Sequence, residues 1–162
     1  MTDTFSFLNR RPVSMCSRIG LAKVPLCLLI GCSTLFGYIL ADPVIVPQTI
    51  LTGVGVFILA TGAATLNSLQ EFRLDRELAR TSDRPLPKGL LPPIQAGVQS
   101  LILLLSGFLT ILIATKNFLP FAAAVFAVVL YNGIYTPLKK KSVLAIIPGA
   151  ICGALPPYIG WL

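Results

Sequence analysis

The chain has 162 residues, of which 55% are hydrophobic and only 12% are charged, and its mean hydropathy is +0.83. This apolar share exceeds that of an ordinary soluble domain and indicates an integral membrane protein. The sequence contains no histidine, which excludes a zinc or haem ligated by histidine from this chain, and also an imidazole general base.

The charged residues divide the chain into five uncharged runs, each long enough or nearly so to cross a hydrocarbon core of about 30 Å as one helix. The runs cover residues 24–41, 43–70, 89–115, 117–138 and 142–162. The predicted fold class is therefore all-α, an integral membrane helical bundle with five transmembrane helices. We expect a multi-pass protein of the bacterial inner (cytoplasmic) membrane, with the lipid bilayer as its surroundings.

The distribution of the cations predicts a cytoplasmic N-terminus. With that orientation, only Lys116 of the 13 lysines and arginines lies outside, as the positive-inside rule requires. The net charge of +7 then follows from topology, and we expect no nucleic acid as a partner.

In chain order, residues 1–17 are predicted to form a polar N-terminal arm, and residues 18–162 a transmembrane domain. The helices are expected from about Arg18 to Leu40, from near Gln48 into the charged stretch, and over Ile94–Ala114, Leu119–Tyr131 and Val143 onward. Two proline effects are expected. Pro137 should keep Tyr135 and Lys139 off one regular helix, and the prolines of the last span should kink or interrupt it; these are Pro148, Pro156 and Pro157.

Residues 67–89 concentrate the charge of the chain, with four of the six acids and five of the 13 cations. Asn67, Glu71 and Asp75 are spaced i, i+4, i+8, so on a helix all three project from one face, with the two carboxylates about 6 Å apart along the axis. This helix must end before residues 84–89, RPLPKG, because their prolines and glycine break it.

Two carboxylates on one helical face beside a basic loop are the groups that a magnesium diphosphate site needs. Mg²⁺ takes oxygen ligands and is often held by one or two carboxylates together with phosphate oxygens. Cations can neutralise the remaining phosphate charge, and the candidates are Arg80, Arg84 and Lys139.

The same residues also allow a structural interpretation. Glu71 and Asp75 can pair with neighbouring arginines as a solvated helix end, and Tyr135 and Lys139 can be ordinary interfacial anchors. Asn67 favours a functional site, because it lies inside an apolar run where a buried amide needs a partner.

At these residues the sequence resembles the UbiA superfamily of intramembrane aromatic prenyltransferases. The similarity is to the first acidic motif of that family, an Asn followed at +4 and +8 by acids, here Asn67, Glu71 and Asp75, and then to Arg-Thr at 80–81 and Arg-Pro-Leu-Pro at 84–87. Two positions depart from the pattern: Glu71 stands where most members carry aspartate, and Ser68 where many have a second acid.

The C-terminal part resembles the protoheme IX farnesyltransferase branch, through the stretches YTPLK at 135–139 and GALPP at 153–157. The resemblance implies transfer of a farnesyl group from farnesyl diphosphate to haem B, which is a substrate rather than a cofactor. It implies catalytic roles for Asn67, Glu71, Asp75 and Lys139, with Glu71 and Asp75 as ligands of the cofactor Mg²⁺. It also implies diphosphate contacts from Arg80, Arg84, Tyr135 and Lys139.

Members of the family are about twice as long and carry a second acidic motif in a second, similar half. The resemblance therefore implies that residues 18–162 correspond to the N-terminal half. Three possibilities stay open: a second polypeptide supplies the missing half, two copies approximate it, or the chain is a truncated, inactive product. Two other functions stay open. One is prenyl transfer to 4-hydroxybenzoate or another quinone precursor, and the other is a non-catalytic membrane subunit that binds an isoprenoid diphosphate.

Overall fold

The structure is a computed structural model that describes residues 15–162, with side chains described from residue 17 onward. Within this range the chain is helical and contains no β-strand. The helices are α1 (Met15–Leu21), α2 (Val24–Ala41), α3 (Pro47–Glu77), α4 (Pro93–Thr115), α5 (Phe118–Val128), a π-helical turn (Val129–Tyr135), α6 (Thr136–Leu138), a 3-10 turn (Val143–Ala145) and α7 (Ile146–Trp161).

Five helical stretches are long and apolar enough to cross a membrane: α2, α3, α4, the continuous path Phe118–Leu138, and Val143–Trp161. The predicted all-α class with five spans is confirmed. The side on which the N-terminus lies stays a prediction, and most of the predicted polar arm, 1–17, lies outside the described residues.

The long helix α3 lies at the centre of the bundle. In the most apolar stretch of α3, 61% of the residues are buried, whereas the corresponding share is 22% in α2 and in α4. Val56 and Leu59 of α3 pack with Ile111 of α4 and with residues from α5 and α7, Ala124 and Ile159, in one buried cluster. Within its apolar stretch, α3 is therefore more enclosed by protein than α2 or α4 is.

The first and last spans, α2 and α7, pack backbone to backbone. A Cβ atom added to Gly37 would lie 2.8 Å from Pro157 Cα, and one added to Gly160 would lie 2.9 Å from the amide nitrogen of Tyr38. Glycine at these two positions permits an approach that any larger residue would prevent, as is common between helices in lipid.

The predicted first helix, from about Arg18 to Leu40, is wrong in one respect: it is two helices that meet at a corner, residues 22–23. The physical reason is Pro25, the second residue of α2. In an unbroken helix the ring of Pro25 would clash with the carbonyl of Leu21, and proline has no N–H to bond to it. Lys23 takes up the change of direction in a left-handed conformation, with φ 50° and ψ 45°.

The expectation that Pro137 separates Tyr135 from Lys139 is also wrong. The helical path continues through the proline, and the amide of Lys139 donates to the carbonyl of Tyr135 at 2.9 Å. The wider π-helical turn just before Pro137 accommodates the ring. The carbonyl of Asn132, five residues before the proline, accepts a hydrogen bond from the Gln70 side chain at 3.1 Å.

The last span is not interrupted. After the 3-10 turn, α7 runs as one helix from Ile146 to Trp161 with Pro156 and Pro157 inside it. Prolines are tolerated within membrane helices because neighbouring groups and small local adjustments satisfy the backbone carbonyls that they leave free.

Candidate functional site

The C-terminal third of α3 carries the three polar residues of the acidic motif on one helix, as predicted. Asn67 is 1% exposed and Asp75 is 5% exposed, and the side chain of Glu71 is 12% exposed. A solvated helix end would show these side chains to water. The burial instead requires that each one has partners inside the protein.

The amide of Asn67 connects two helical segments. Its Nδ2 donates to Glu71 Oε2 at 3.1 Å, one turn further along α3. Its Oδ1 accepts from Thr136 Oγ1 at 2.9 Å and from Lys139 Nζ at 3.1 Å. Both ends of the amide are therefore satisfied, and the motif on α3 is fixed relative to the segment that follows the π-helical turn.

Lys139 forms an ion pair with Glu71. Its Nζ lies 3.1 Å from Oε1 and 3.1 Å from Oε2 of that carboxylate. The same ammonium lies 5.1 Å from the centroid of the Tyr135 ring, which is stacked on the ring of Tyr131 with the centroids 5.6 Å apart. The continuous helix through Pro137 thus places Tyr135 and Lys139 on the side that faces the acidic motif.

Asp75 is paired with the basic loop. Arg84 Nη1 lies 2.7 Å from Asp75 Oδ2, and the buried hydroxyl of Thr81 donates to the Asp75 carbonyl at 3.0 Å. The loop is anchored by Leu86 and Leu91, which are 3% and 1% exposed. Arg84 is therefore held at the acidic face by a folded loop.

Arg80 is the predicted site residue that the structure does not bring into this cluster. Its side chain is exposed, and within the described part of the chain it makes no side-chain hydrogen bond or ion pair. It lies four residues before Arg84 in the same loop.

An apolar cavity of about 720 Å³ lies beside the polar cluster, between α2, α3, α7 and the segment around the π-helical turn. Small residues leave this space open: Ala60, Ala63 and Ala64 on α3, and Gly149, Ala150 and Gly153 on α7. Tyr131 and Tyr135 line it as well. Because the Tyr135 ring also neighbours the Lys139 ammonium, the cavity and the charged groups adjoin at this side chain.

The donor set suits Mg²⁺. It offers the carboxylates of Glu71 and Asp75 and the amide oxygen of Asn67, which are hard oxygen ligands of the kind that Mg²⁺ prefers. The described residues contain no group of three or more His, Cys, Asp or Glu side chains that could hold a metal by themselves. An Mg²⁺ ion held by these oxygens would take its remaining ligands from water and substrate phosphate.

Sequence reasoning missed Thr136, Thr81 and Tyr131. Thr136 carried a usable signal, since it is a polar residue next to a proline in an otherwise apolar span, and such a group needs a partner. Thr81 donates a hydrogen bond to the backbone carbonyl of Asp75, and the Tyr131 ring stacks on the ring of Tyr135. Neither contact can be inferred from the spacing of residues in the sequence.

Residues 30–162 match the UbiA prenyltransferase family. The chain is 34% identical over 135 residues to the protoheme IX farnesyltransferase of Nitratidesulfovibrio vulgaris, covering 83% of this chain and 47% of that protein. It is 45% identical over 107 residues to the protoheme IX farnesyltransferase of Geobacter sulfurreducens, covering 66% and 39%, and 34% identical over 142 residues to the human mitochondrial protein of that name, covering 87% and 32%.

Among solved structures, one that concerns digeranylgeranylglyceryl phosphate synthase in membranes matches with a TM-score of 0.81 at 20% identity, covering 90% of this chain and 52% of that one. This likeness supports the fold. The chain spans about half the length of the curated relatives that it matches. On the match over residues 30–162, the chain belongs to the UbiA prenyltransferase family.

Proposed function

We propose that this chain provides the first half of a protoheme IX farnesyltransferase site, which transfers a farnesyl group from farnesyl diphosphate to haem B and gives haem O. The observation that carries the proposal is the position of Lys139. Its ammonium binds Asn67 and Glu71 of the acidic motif and also lies beside the Tyr135 ring at the apolar cavity. A phosphate group and a prenyl chain of one substrate can be placed on these two neighbouring regions. The names of the relatives support the choice of haem as the acceptor.

Glu71 and Asp75, with the amide oxygen of Asn67, are the residues that would hold Mg²⁺. The bound ion would neutralise diphosphate charge and so make diphosphate a better leaving group. Lys139 and Arg84 already sit against these carboxylates, and they are proposed to turn to the phosphate oxygens. Tyr135 contributes a contact from the same segment as Lys139. Arg80 is proposed to make only a small contribution.

In the proposed reaction the bond between the allylic carbon and the diphosphate oxygen breaks, and the electron pair leaves with diphosphate. Lys139 and Arg84 stabilise the charge that develops on the leaving group. The apolar cavity keeps water from the allylic cation, and the stacked faces of Tyr131 and Tyr135 can stabilise it. A vinyl group of haem B then donates an electron pair to the cation and forms the new carbon–carbon bond. This leaves a cation on the vinyl carbon next to the porphyrin ring, where a water molecule adds and loses one proton to give the hydroxyethylfarnesyl group of haem O.

We further propose that residues 18–162 are the N-terminal half of the functional unit, whose other half carries a second acidic motif. The match covers 47% of the relative from Nitratidesulfovibrio vulgaris, which supports this division. The protein is proposed to lie in the bacterial inner membrane with the acidic motif at the cytoplasmic side, where both substrates have access.

The test is farnesyl transfer to haem B in membranes with added Mg²⁺. It compares this chain alone, the chain expressed with the second half of a related enzyme, and Asp75→Asn in both forms. Glu77→Gln is the matched control, because Glu77 is an exposed acid on the same helix. We expect turnover on complementation, loss of turnover in Asp75→Asn, and no effect of Glu77→Gln.

Two results would redirect the proposal. Transfer to 4-hydroxybenzoate but not to haem B would change the acceptor. Saturable, Mg²⁺-dependent binding of farnesyl diphosphate without any turnover, in properly inserted complemented protein, would instead identify a non-catalytic subunit.

A further inference from the structure

The corner between α1 and α2 adjoins the acidic motif. The hydroxyl of Ser68, the residue after Asn67, donates to the carbonyl of Leu21 at 3.4 Å. Leu21 and Ala22 are buried, and Leu21 packs with Leu86 of the basic loop. The corner is therefore fixed on one side to α3 and on the other to the loop that carries Arg84. Its next residue is Lys23, which sequence reasoning did not assign to the site.

Among the side chains that the structure describes, none is a partner of the Lys23 ammonium. Its side chain is half-buried, and within residues 17–162 it makes no hydrogen bond or ion pair. Burial, followed by the nearby charges of Arg84 and Lys139, lowers the pKa of Lys23, while Glu71 and Asp75 act in the opposite direction. The four charged groups that act on Lys23 are thus the two ion pairs of the candidate site.

The balance of charges around Lys23 indicates which kind of ligand it can bind. Arg84 and Lys139 cancel the two carboxylates, Asp75 and Glu71, with which they are paired. Lys23 follows the corner that is hydrogen-bonded to Ser68, and it adds one positive charge near these two ion pairs. A half-buried ammonium that has neither a counter-charge nor a hydrogen-bond acceptor favours the binding of an anionic ligand.

Lys23 makes the corner through its left-handed backbone conformation, which does not require a lysine side chain. Glycine is the usual residue at such a position after a helix, because it adopts positive φ without the clash of a Cβ atom, whereas other residues pay roughly 1–2 kcal/mol. Conformation therefore favours glycine here, so Lys23→Gly removes the ammonium without straining the backbone.

We propose that Lys23 is a third cation that contacts the diphosphate group, delivered by the corner between α1 and α2. The inference rests on the proposed function, since it deepens the same diphosphate site. Its consequence is that the site draws its phosphate contacts from three segments of the chain: the corner with Lys23, the loop with Arg84, and the segment after the π-helical turn with Lys139.

Lys116 supplies a matched control. It is also a lysine with φ 50°, at the end of α4, but it is exposed and lies in the turn between α4 and α5. Changing either lysine to glycine keeps or improves the local backbone and removes one ammonium. Lys23→Arg keeps the charge and tests for rescue.

The experiment measures the binding of inorganic diphosphate to the purified full chain in lipid nanodiscs by calorimetry in the presence of Mg²⁺. We expect Lys23→Gly to weaken binding about tenfold to a hundredfold, the loss of one hydrogen bond to a charged group. Lys116→Gly should bind within about twofold of the wild type, and Lys23→Arg should restore most of the affinity.

The outcomes separate this inference from the proposed function. If the wild type binds diphosphate and Lys23→Gly binds equally well, the role of Lys23 is refuted while the diphosphate site stands. If the wild type shows no Mg²⁺-dependent binding, either alone or together with the second half of a related enzyme, both are refuted. An equal loss in Lys23→Gly and Lys116→Gly would also overturn the inference, because it would show a general effect of net charge.

Discussion

Removing the ammonium of Lys139 should destabilise the folded bundle as well as the proposed site. Lys139→Met leaves the carboxylate of Glu71, whose side chain is only 12% exposed, with the Asn67 amide as its remaining partner. Asn67 Oδ1 keeps the hydrogen bond from Thr136. The main loss is therefore the ion pair itself.

The magnitude follows from the geometry. Two unit charges about 3–4 Å apart attract each other by roughly 4–5 kcal/mol at an effective dielectric constant near 20. Desolvation of both groups and the ordering of the lysine offset much of this, and the Lys139 side chain is still 26% exposed. We expect Lys139→Met to lower the free energy of unfolding by about 1–3 kcal/mol.

A double-mutant cycle isolates the pair. The free energy of unfolding in detergent micelles is measured for the wild type, Lys139→Met, Glu71→Gln and the double variant. We expect a coupling energy of about 1–2 kcal/mol, because the second change costs less once the first has removed the partner. A coupling energy below about 0.5 kcal/mol would refute the argument that the two groups are paired in a shielded environment.

Two further predictions concern packing and the basic loop. Gly37→Ala should lower the free energy of unfolding by about 1–3 kcal/mol, since its Cβ would meet the backbone of Pro157, whereas Gly153→Ala, with no atom within 4 Å of its Cβ, should be close to neutral. A destabilised Gly153→Ala would contradict this account of the α2–α7 contact. Arg84→Met should weaken Mg²⁺-dependent diphosphate binding about tenfold, and Arg80→Met less than about threefold, in the same calorimetric assay. Equal losses would contradict the different placement of the two arginines.

The sequence predicted the spans and the acidic face because both depend on strong, local patterns. Hydropathy and helix length determine which runs can cross a membrane, and a spacing of four residues places Asn67, Glu71 and Asp75 on one face whatever surrounds them. The structure confirms five spans and one helix through these residues.

The errors came from prolines, whose effect depends on context. Pro25 ends the helix before it and makes the corner at Lys23, whereas Pro137 lies inside a continuous path because a π-helical turn precedes it. The sequence alone does not tell the two cases apart, since the hydrogen bond from Gln70 to the Asn132 carbonyl is a contact between distant segments. The corner that precedes Lys23 was missed for the same reason.

The partners of the acidic residues were also beyond sequence reasoning. Arg80 and Arg84 occur in one loop with similar motifs, but only Arg84 contacts the acidic face, because a folded loop anchored by Leu86 orients it. The pairing of Lys139 with Glu71 joins residues 68 positions apart. Such choices depend on the packing of the loop and of the final helices against α3.

The central claim is that the acidic face of α3, with Lys139 and Arg84, binds a prenyl diphosphate through Mg²⁺. Equilibrium binding of labelled farnesyl diphosphate to the purified chain in nanodiscs, with Mg²⁺ and after its removal by a chelator, tests this directly. We predict saturable binding that requires Mg²⁺ and is lost in Glu71→Gln. Binding that persists without Mg²⁺ and is unchanged in Glu71→Gln would contradict the claim.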